Sequence, residues 1–214
     1  MMETIKNYLS YAGIQYRNPD KAGDEREKML ELRHKGQEAR KAFTNLAKTF
    51  QEKHPEWQLQ QTSQWMNQAQ RLRPHFWAYL QREGQVTEPM LALRLYGEPS
   101  DFGISLEVSF IERKKDEQTL SKQAKILDIP PVEGIYYLVY SNGESHKMEA
   151  TEENRRTLRE KVRSQEVRKV LIKSDISFIE NQSVEAMVEK LEDAYTRLLP
   201  YYEVTREWKI KCVR

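Results

Sequence analysis

Two acidic residues and a lysine near the ends of predicted strands are the first candidates for chemistry in this sequence. Asp101 is followed by Glu112 and Lys114, an order in which two carboxylates could hold Mg²⁺ beside an assisting lysine. An extended chain holds Asp101 and Glu112 about 36 Å apart at ~3.3 Å per residue, which is too far for a shared ion. Glu88 is the better partner, because a hairpin between them places it roughly opposite Glu112. The catalytic candidates are therefore Glu88, Glu112 and Lys114.

Positive charge concentrates in residues 155–173, where eight Lys or Arg stand against two Glu, a net of +6. Four arginines of this segment share one side of a predicted helix: Arg155, Arg156, Arg159 and Arg163. One interpretation is a face that contacts the phosphates of nucleic acid or of a phosphorylated small molecule. The other is an exposed helix that faces the acidic residues of 174–207.

Aromatic residues accumulate on the predicted strands and suggest a third kind of site. The candidates for a cleft that stacks a base or a sugar are His75, Trp77, Tyr79, Tyr96 and Tyr137. The alternative is that they fill the faces of the sheet, since aromatic residues are common in strands.

Motifs for cofactors and metals are missing from the sequence. The eight glycines form neither GxGxxG nor GxxxxGK[ST], so no cofactor is expected. Cys212 is the one cysteine, and the four histidines lack ligand spacing, so neither a disulfide framework nor a thiolate or zinc site is expected, and no metal ligand is assigned. A net charge of +2 over 214 residues predicts no partner by itself.

The sequence also lacks the patterns of membrane insertion and export. No apolar run approaches the ~18 residues that a membrane span needs. The first residues, MMETIKNYLSYAG, lack a basic segment followed by an apolar one, so they do not resemble a signal peptide. We therefore expect a cytoplasmic protein without a membrane partner.

Three predicted strands, 75–82, 88–97 and 102–115, form the centre of the chain. The third alternates apolar residues on one face with Ser105, Glu107 and Ser109 on the other, which predicts a one-sided antiparallel sheet. A fourth strand, 134–141, is apolar on both faces and is expected to be covered on both sides. It leads into Asn142-Gly143, the signature of a type I′ hairpin.

A long helix is predicted from an N-cap at Asp24 to just before Pro55. Its apolar residues recur at spacings of three and four from Met29 to Phe50, as in a coiled coil. The pattern fits either a homodimer through the 24–53 helix or packing against the same chain. Later elements are a helix capped by Asp116, a helix from Thr151, a strand at 169–173, a helix from Ser183 that ends at Pro200, and a terminal strand at 208–212.

This order of elements predicts an α+β fold with a mostly antiparallel sheet, helices packed on one face and a helical N-terminal region. We expect a helical region of residues 1–70 and an α+β domain of residues 71–214, joined as one continuous structural unit.

Three segments carry a resemblance to a small bacterial family of about this length: RPHFWAYL at 73–80, FGISLEVSFIERKK at 102–115 and EGIYYLVYSNG at 133–143. Its members often bear the label glucose-6-phosphate 1-dehydrogenase, which implies NADP and hydride transfer, although this chain has no dinucleotide fingerprint. The chain is also similar to N-terminal recognition domains of modification-dependent restriction systems. That similarity implies an α+β module that binds DNA beside a sheet with aromatic residues.

The leading prediction from the sequence is a non-catalytic module that binds a ligand or nucleic acid. The alternative is an enzyme, either the NADP-linked dehydrogenase that the family label implies or a metal-dependent nuclease.

Overall fold

A computed structural model describes residues 2–82, 88–110, 117–179 and 182–206 of the chain. The described residues form five α-helices and one sheet of seven antiparallel strands, which confirms the α+β class with an N-terminal helical region. The helices are Met2–Leu9 (α1), Arg26–Glu52 (α2), Glu117–Ala124 (α3), Glu152–Arg163 (α4) and Val184–Thr205 (α5). The strands are Gln58–Leu59 (β1), Trp77–Gln81 (β2), Met90–Glu98 (β3), Asp101–Ser109 (β4), Tyr136–Ser141 (β5), Glu144–Glu149 (β6) and Lys169–Ser177 (β7).

The sheet has the strand order β1-β2-β3-β4-β7-β5-β6. The first four strands follow the order of the chain, and β7 then inserts between β4 and the β5–β6 hairpin. Asn142 and Gly143 join β5 to β6 with φ values of 51° and 84°, as a type I′ turn requires. This hairpin is therefore confirmed.

The polar face of β4 is buried, so the expectation of a one-sided sheet is wrong for this strand. Every residue of β4 after Asp101 is buried, including Ser105, Glu107 and Ser109. Alternation identifies the residues that share a face of the strand, but it does not reveal whether other parts of the chain cover that face.

The opposite correction applies to β5, which was expected to be covered on both sides. Tyr137 and Val139 are buried, whereas the side chains of Tyr136, Leu138 and Tyr140 remain half-exposed. The strand is one position from the edge of the sheet, and its neighbour β6 is largely exposed. Apolar residues on both faces therefore did not indicate a fully covered strand here.

The α2 helix begins at Arg26 and not at an N-cap on Asp24, because Gly23–Glu25 forms a 3-10 turn before it. Its predicted apolar stripe is buried by residues of the same chain from Met29 to Phe50. Gly36 lies directly under the ring of buried Trp65, so closely that a Cβ atom would lie 2.5 Å from Cε3. Within the described part of the chain, this stripe therefore leaves no apolar face for a homodimer.

The α5 helix continues through Pro200 to Thr205, so the prediction that it ends at this proline is wrong. Proline removes one backbone N–H and favours a kink, yet it does not by itself end a helix that is held by packing. Leu198, Tyr201 and Tyr202 are all at most 1% exposed and supply that packing on both sides of Pro200.

Two of the predicted elements, the helix capped by Asp116 and the terminal strand, lie partly or wholly outside the described residues. A helix from Glu117 onward is present as α3, followed by a 3-10 turn at Lys125–Asp128, but the expected cap Asp116 lies outside the described residues. The expected terminal strand at 208–212 also lies outside them.

The chain divides by its internal contacts into two compact units, each assembled from three segments. Unit 1 comprises Met1–Leu80, Ala92–Ser105 and Asp175–Glu192, and unit 2 comprises Gln81–Leu91, Leu106–Ser174 and Asp193–Arg214. In unit 1, the ring of Phe76 stacks on Tyr8 at 5.2 Å and lies 5.8 Å from Phe43. The core of unit 2 includes fully buried Tyr137, Leu158 and Tyr201. The division predicted at residue 70 stays a prediction.

Candidate functional site

The α4 helix of unit 2 carries the predicted arginine face. The hydroxyl of Thr151 caps the helix by accepting a hydrogen bond of 3.1 Å from the backbone N–H of Asn154. Leu158 is fully buried and fixes which side of the helix faces the protein. The helix begins close to the position predicted from the sequence and continues to Arg163, so the helical spacing of its arginines is retained.

Arg155 is engaged within unit 2. Its guanidinium donates two hydrogen bonds to Glu152, of 2.8 and 2.7 Å, and a third of 2.7 Å to the carbonyl oxygen of Leu127. Its side chain is only 12% exposed, and the hydrogen bonds to Glu152 raise its pKa. We therefore assign Arg155 a structural role, which ties α4 to the 3-10 turn at Lys125–Asp128.

Arg156 lies on the outside of the same helix with its side chain 74% exposed. Its Nε atom donates a 3.0 Å hydrogen bond to Glu152, which therefore contacts two arginines. The hydrogen bond from Arg155, followed by that from Arg156, lowers the pKa of Glu152 to about 2. Because an exposed pair contributes little to stability, Arg156 remains able to exchange Glu152 for another anion.

The last two arginines border an open notch of about 150 Å³. Arg159 forms an ion pair of 3.3 Å with Asp128. Eight residues from α3, the 3-10 turn and α4 line the notch: Ser121, Ala124, Lys125, Leu127, Asp128, Arg159, Val162 and Arg163. Among the described residues, neither Lys125 nor Arg163 has an ion-pair partner. The notch therefore has three cations and one carboxylate on its lining.

Lys125 and Asp128 of this notch were not predicted from the sequence. They precede α4 by a whole hairpin, and their own segment has no unusual charge or motif. The contacts of Arg155 with the carbonyl oxygen of Leu127 and of Arg159 with Asp128, seen in the structure, show that this turn lies against α4.

Of the predicted aromatic residues of unit 1, His75 lies beside Trp77 on β2. The rings of His75 and Trp77 lie 5.7 Å apart, and the Trp77 ring has the guanidinium groups of Arg73 at 4.7 Å and Arg94 at 5.7 Å. The side chains of these four residues are all half-buried. A flat ring could stack on this half-exposed indole by taking the place of a guanidinium group that lies over it.

The other three aromatic candidates differ in their surroundings. Tyr79 is half-buried on β2, and the Tyr96 hydroxyl lies 3.4 Å from Oγ of Ser177, with its pKa raised by burial. Tyr137 belongs to unit 2 and is fully buried, which raises the pKa of its hydroxyl. Its side chain is therefore part of the core and does not line an open cleft.

Of the predicted acid and lysine candidates, Glu88 is the one that the structure describes. It is 4% exposed, and Nζ of Lys122 on α3 lies 3.4 Å from its carboxylate. Glu112 and Lys114 lie outside the described residues, so their pairing with Glu88 stays a prediction.

A second buried acid and lysine were not predicted as a pair. Oε2 of Glu107 on β4 lies 3.2 Å from Nζ of Lys173 on β7, and the two side chains are 1% and 7% exposed. Two signals were available: a glutamate in the centre of the most regular strand and a lysine within the apolar run KVLIK. Neither signal shows that the two strands are neighbours.

Neither a cluster of metal ligands nor a membrane-spanning helix is present in the described residues. No group of three or more His, Cys, Asp or Glu is placed there to hold a metal ion. No helix in the same residues combines the length and apolarity needed to cross a bilayer.

Comparison with known proteins leaves the function to be argued from these residues. No family model matches the chain, and no curated protein matches its sequence. The dehydrogenase activity implied by the resemblance stays a prediction.

Proposed function

We propose that this chain is a non-catalytic binding module whose partner is nucleic acid, held through its phosphates by α4. The observation that carries the proposal is the set of three arginines on the outer side of this helix, Arg156, Arg159 and Arg163. None of the three is buried, so each can reach a ligand without disrupting the core.

The ion pairs around α4 favour a phosphate ligand for this face. The alternative was that the face lies against the acidic residues of 174–207. Each ion pair of this face is local: Arg156 contacts Glu152 on its own helix, and Arg159 contacts Asp128 on the adjacent turn. Arg163 has no ion-pair partner among the described residues. The face therefore keeps a surplus of positive charge, which is the usual footprint of backbone contacts to nucleic acid.

The aromatic surface around Trp77 supports the same proposal from unit 1. Stacking on an indole is tolerant of base identity, and nearby arginines add attraction to both the base and the phosphate. We propose that bases of a single strand stack on Trp77 by displacing the guanidinium groups of Arg73 and Arg94, which lie over its ring.

The test compares binding of fluorescent single-stranded and duplex oligonucleotides over a salt titration. The triple variant Arg156→Ala, Arg159→Ala, Arg163→Ala should bind every sequence more weakly, and the slope of log K against log salt should fall by about 2 to 3 units for duplex DNA. The matched control is Arg33→Ala, Lys41→Ala, Lys48→Ala, which removes three exposed cations from α2. Absence of binding by the wild type at 50 mM salt, or an equal loss in both variants, would overturn the proposal.

A metal-dependent nuclease is the second candidate, and the buried Glu88–Lys122 pair favours it. A carboxylate and a lysine 3.4 Å apart are two of the groups that such chemistry uses, and a second carboxylate would have to join Glu88 around the metal. Glu88→Gln should then abolish Mg²⁺-dependent cleavage without weakening oligonucleotide binding. Cleavage that survives both this substitution and chelation of the metal would exclude a role for Glu88.

A further inference from the structure

We propose that the notch between α3 and α4 binds the dianionic phosphate group of a phosphate monoester. This inference deepens the proposed function, on which it rests, by naming the kind of phosphate that one part of the face accepts.

The charge of the notch matches a dianion. Its lining contains the cations Lys125, Arg159 and Arg163 and the single carboxylate of Asp128, which leaves a net of +2. A phosphate monoester carries about −1.5 to −2 at pH 7, whereas the phosphodiester of a nucleic-acid backbone carries about −1. A terminal phosphate therefore neutralises this notch more completely than an internal one.

The ion pair within the notch orients one of its cations before a ligand arrives. Asp128 holds the Arg159 guanidinium at 3.3 Å, and both side chains remain accessible, at 52% and 38% exposure. An arginine that is already ordered loses less conformational entropy when it binds, and its planar donors suit the oxygens of a phosphate.

Lys125 and Arg163 supply the charge that is not already compensated. Both are exposed, and among the described residues neither forms an ion pair. They lie on different elements, the 3-10 turn and the last turn of α4, so an anion in the notch would contact cations from two sides. The hydroxyl of Ser121 on α3 is a further donor on the lining.

The size of the notch indicates a small polyatomic anion. Its volume of about 150 Å³ is below the 300 Å³ or more that is typical of pockets for whole drug-sized ligands. The phosphate group would enter the notch, and the rest of the ligand would remain outside. That chemistry is shared by the phosphorylated end of an oligonucleotide and by a phosphorylated small molecule.

The experiment uses the full chain and three probes: inorganic phosphate, an oligonucleotide with a 5′-phosphate, and the same oligonucleotide with a 5′-hydroxyl. Calorimetry measures the first, and fluorescence anisotropy the other two. The variant Lys125→Ala, Arg163→Ala should weaken phosphate binding by at least tenfold. Lys161→Ala, which removes an exposed cation of the same helix outside the notch lining, should change the affinity for inorganic phosphate less than twofold.

A pH titration adds a readout that a change in folding would not imitate. The second pKa of phosphate is about 6, so wild-type affinity for inorganic phosphate should decrease between pH 7.5 and 5 as the dianion is protonated. Denaturant unfolding of each variant verifies that the exposed substitutions leave the fold intact.

The outcomes separate this inference from the proposed function. If both oligonucleotides bind with equal affinity and inorganic phosphate does not bind, the phosphate site in the notch is refuted. The nucleic-acid proposal is not affected by that result. Phosphate binding that depends on Lys125 and Arg163, without binding of any oligonucleotide, overturns the nucleic-acid proposal and assigns the notch to a small molecule. If the variant Lys125→Ala, Arg163→Ala binds inorganic phosphate as tightly as the wild type, the notch is not the phosphate site.

Discussion

Unit 2 contains two groups of acidic and basic residues in opposite physical situations. Glu107 and Lys173 form an ion pair of 3.2 Å, and both side chains are almost completely removed from solvent. The notch has one carboxylate for three cations, and none of these four charged side chains is buried. The first group has no charge left for a ligand, whereas the second has a surplus.

The comparison shows that burial and stoichiometry decide the role of a charged residue more than its type does. A buried charge must keep its partner, because desolvation of an unpaired ion costs several kcal/mol. A hydrated cation without a partner costs little in the free protein and gains energy when an anion arrives. We therefore expect substitutions in the first group to affect stability, and substitutions in the second to affect binding.

The largest expected effect is that of Glu107→Leu on stability. It leaves Lys173 buried without its carboxylate and should lower the free energy of unfolding by about 3 to 5 kcal/mol. Urea unfolding followed by circular dichroism measures the loss. The double variant Glu107→Leu, Lys173→Met should recover much of it, because both charges are then absent.

The matched control for this prediction is the exposed ion pair of the notch. Asp128→Ala should change the free energy of unfolding by less than about 1 kcal/mol. If Glu107→Leu lowered the free energy of unfolding as little as Asp128→Ala does, the proposed difference between the buried and the exposed charges would be wrong.

Arg155 provides an intermediate case within the arginine face. Arg155→Ala removes the hydrogen bond that Arg155 donates to the carbonyl oxygen of Leu127. We therefore expect the free energy of unfolding to decrease by about 1 to 3 kcal/mol. Arg156→Ala, one residue further, should stay within about 0.5 kcal/mol of the wild type because its side chain is exposed. Equal stabilities of the two variants, measured by the same urea titration, would contradict the structural role of Arg155.

The smallest expected effect is the pH dependence of the Glu152 contacts. The folded-state pKa of Glu152, about 2, is below its ordinary value of 4.5. Its stabilising contribution is therefore fully present above pH 4.5 and is lost as the pH decreases toward 2. The difference in unfolding free energy between the wild type and Glu152→Gln should be constant from pH 7 to 5 and shrink below pH 4.5. A difference that grows on acidification would show that another group is responsible.

Local signals in the sequence were sufficient for much of the architecture. The Asn142-Gly143 turn and the Thr151 cap depend on neighbouring residues alone, and both are present where they were expected. The apolar stripe of α2 was also predicted, but the sequence left open whether the same chain or a second copy covers it. Trp65, packed on Gly36, provides one of the covering contacts.

The candidate sites were predicted less completely, because they depend on residues from separate segments. The arginines of α4 were recognisable as a group, since the helical repeat alone places them on one side. Which of them are available to a ligand depends on Glu152 and on the turn that contains Leu127. Helical spacing contains no information about that turn.

The sequence by itself determined the α+β class, the helix that presents the arginines and the residues of each strand that share a face. Only the tertiary structure decided that Glu107 lies beside Lys173 and that Lys125 joins Arg159 and Arg163 around one notch. The physical reason is that helix and strand periodicities arise from the geometry of consecutive residues, whereas burial and charge pairing arise from contacts between distant segments of the chain.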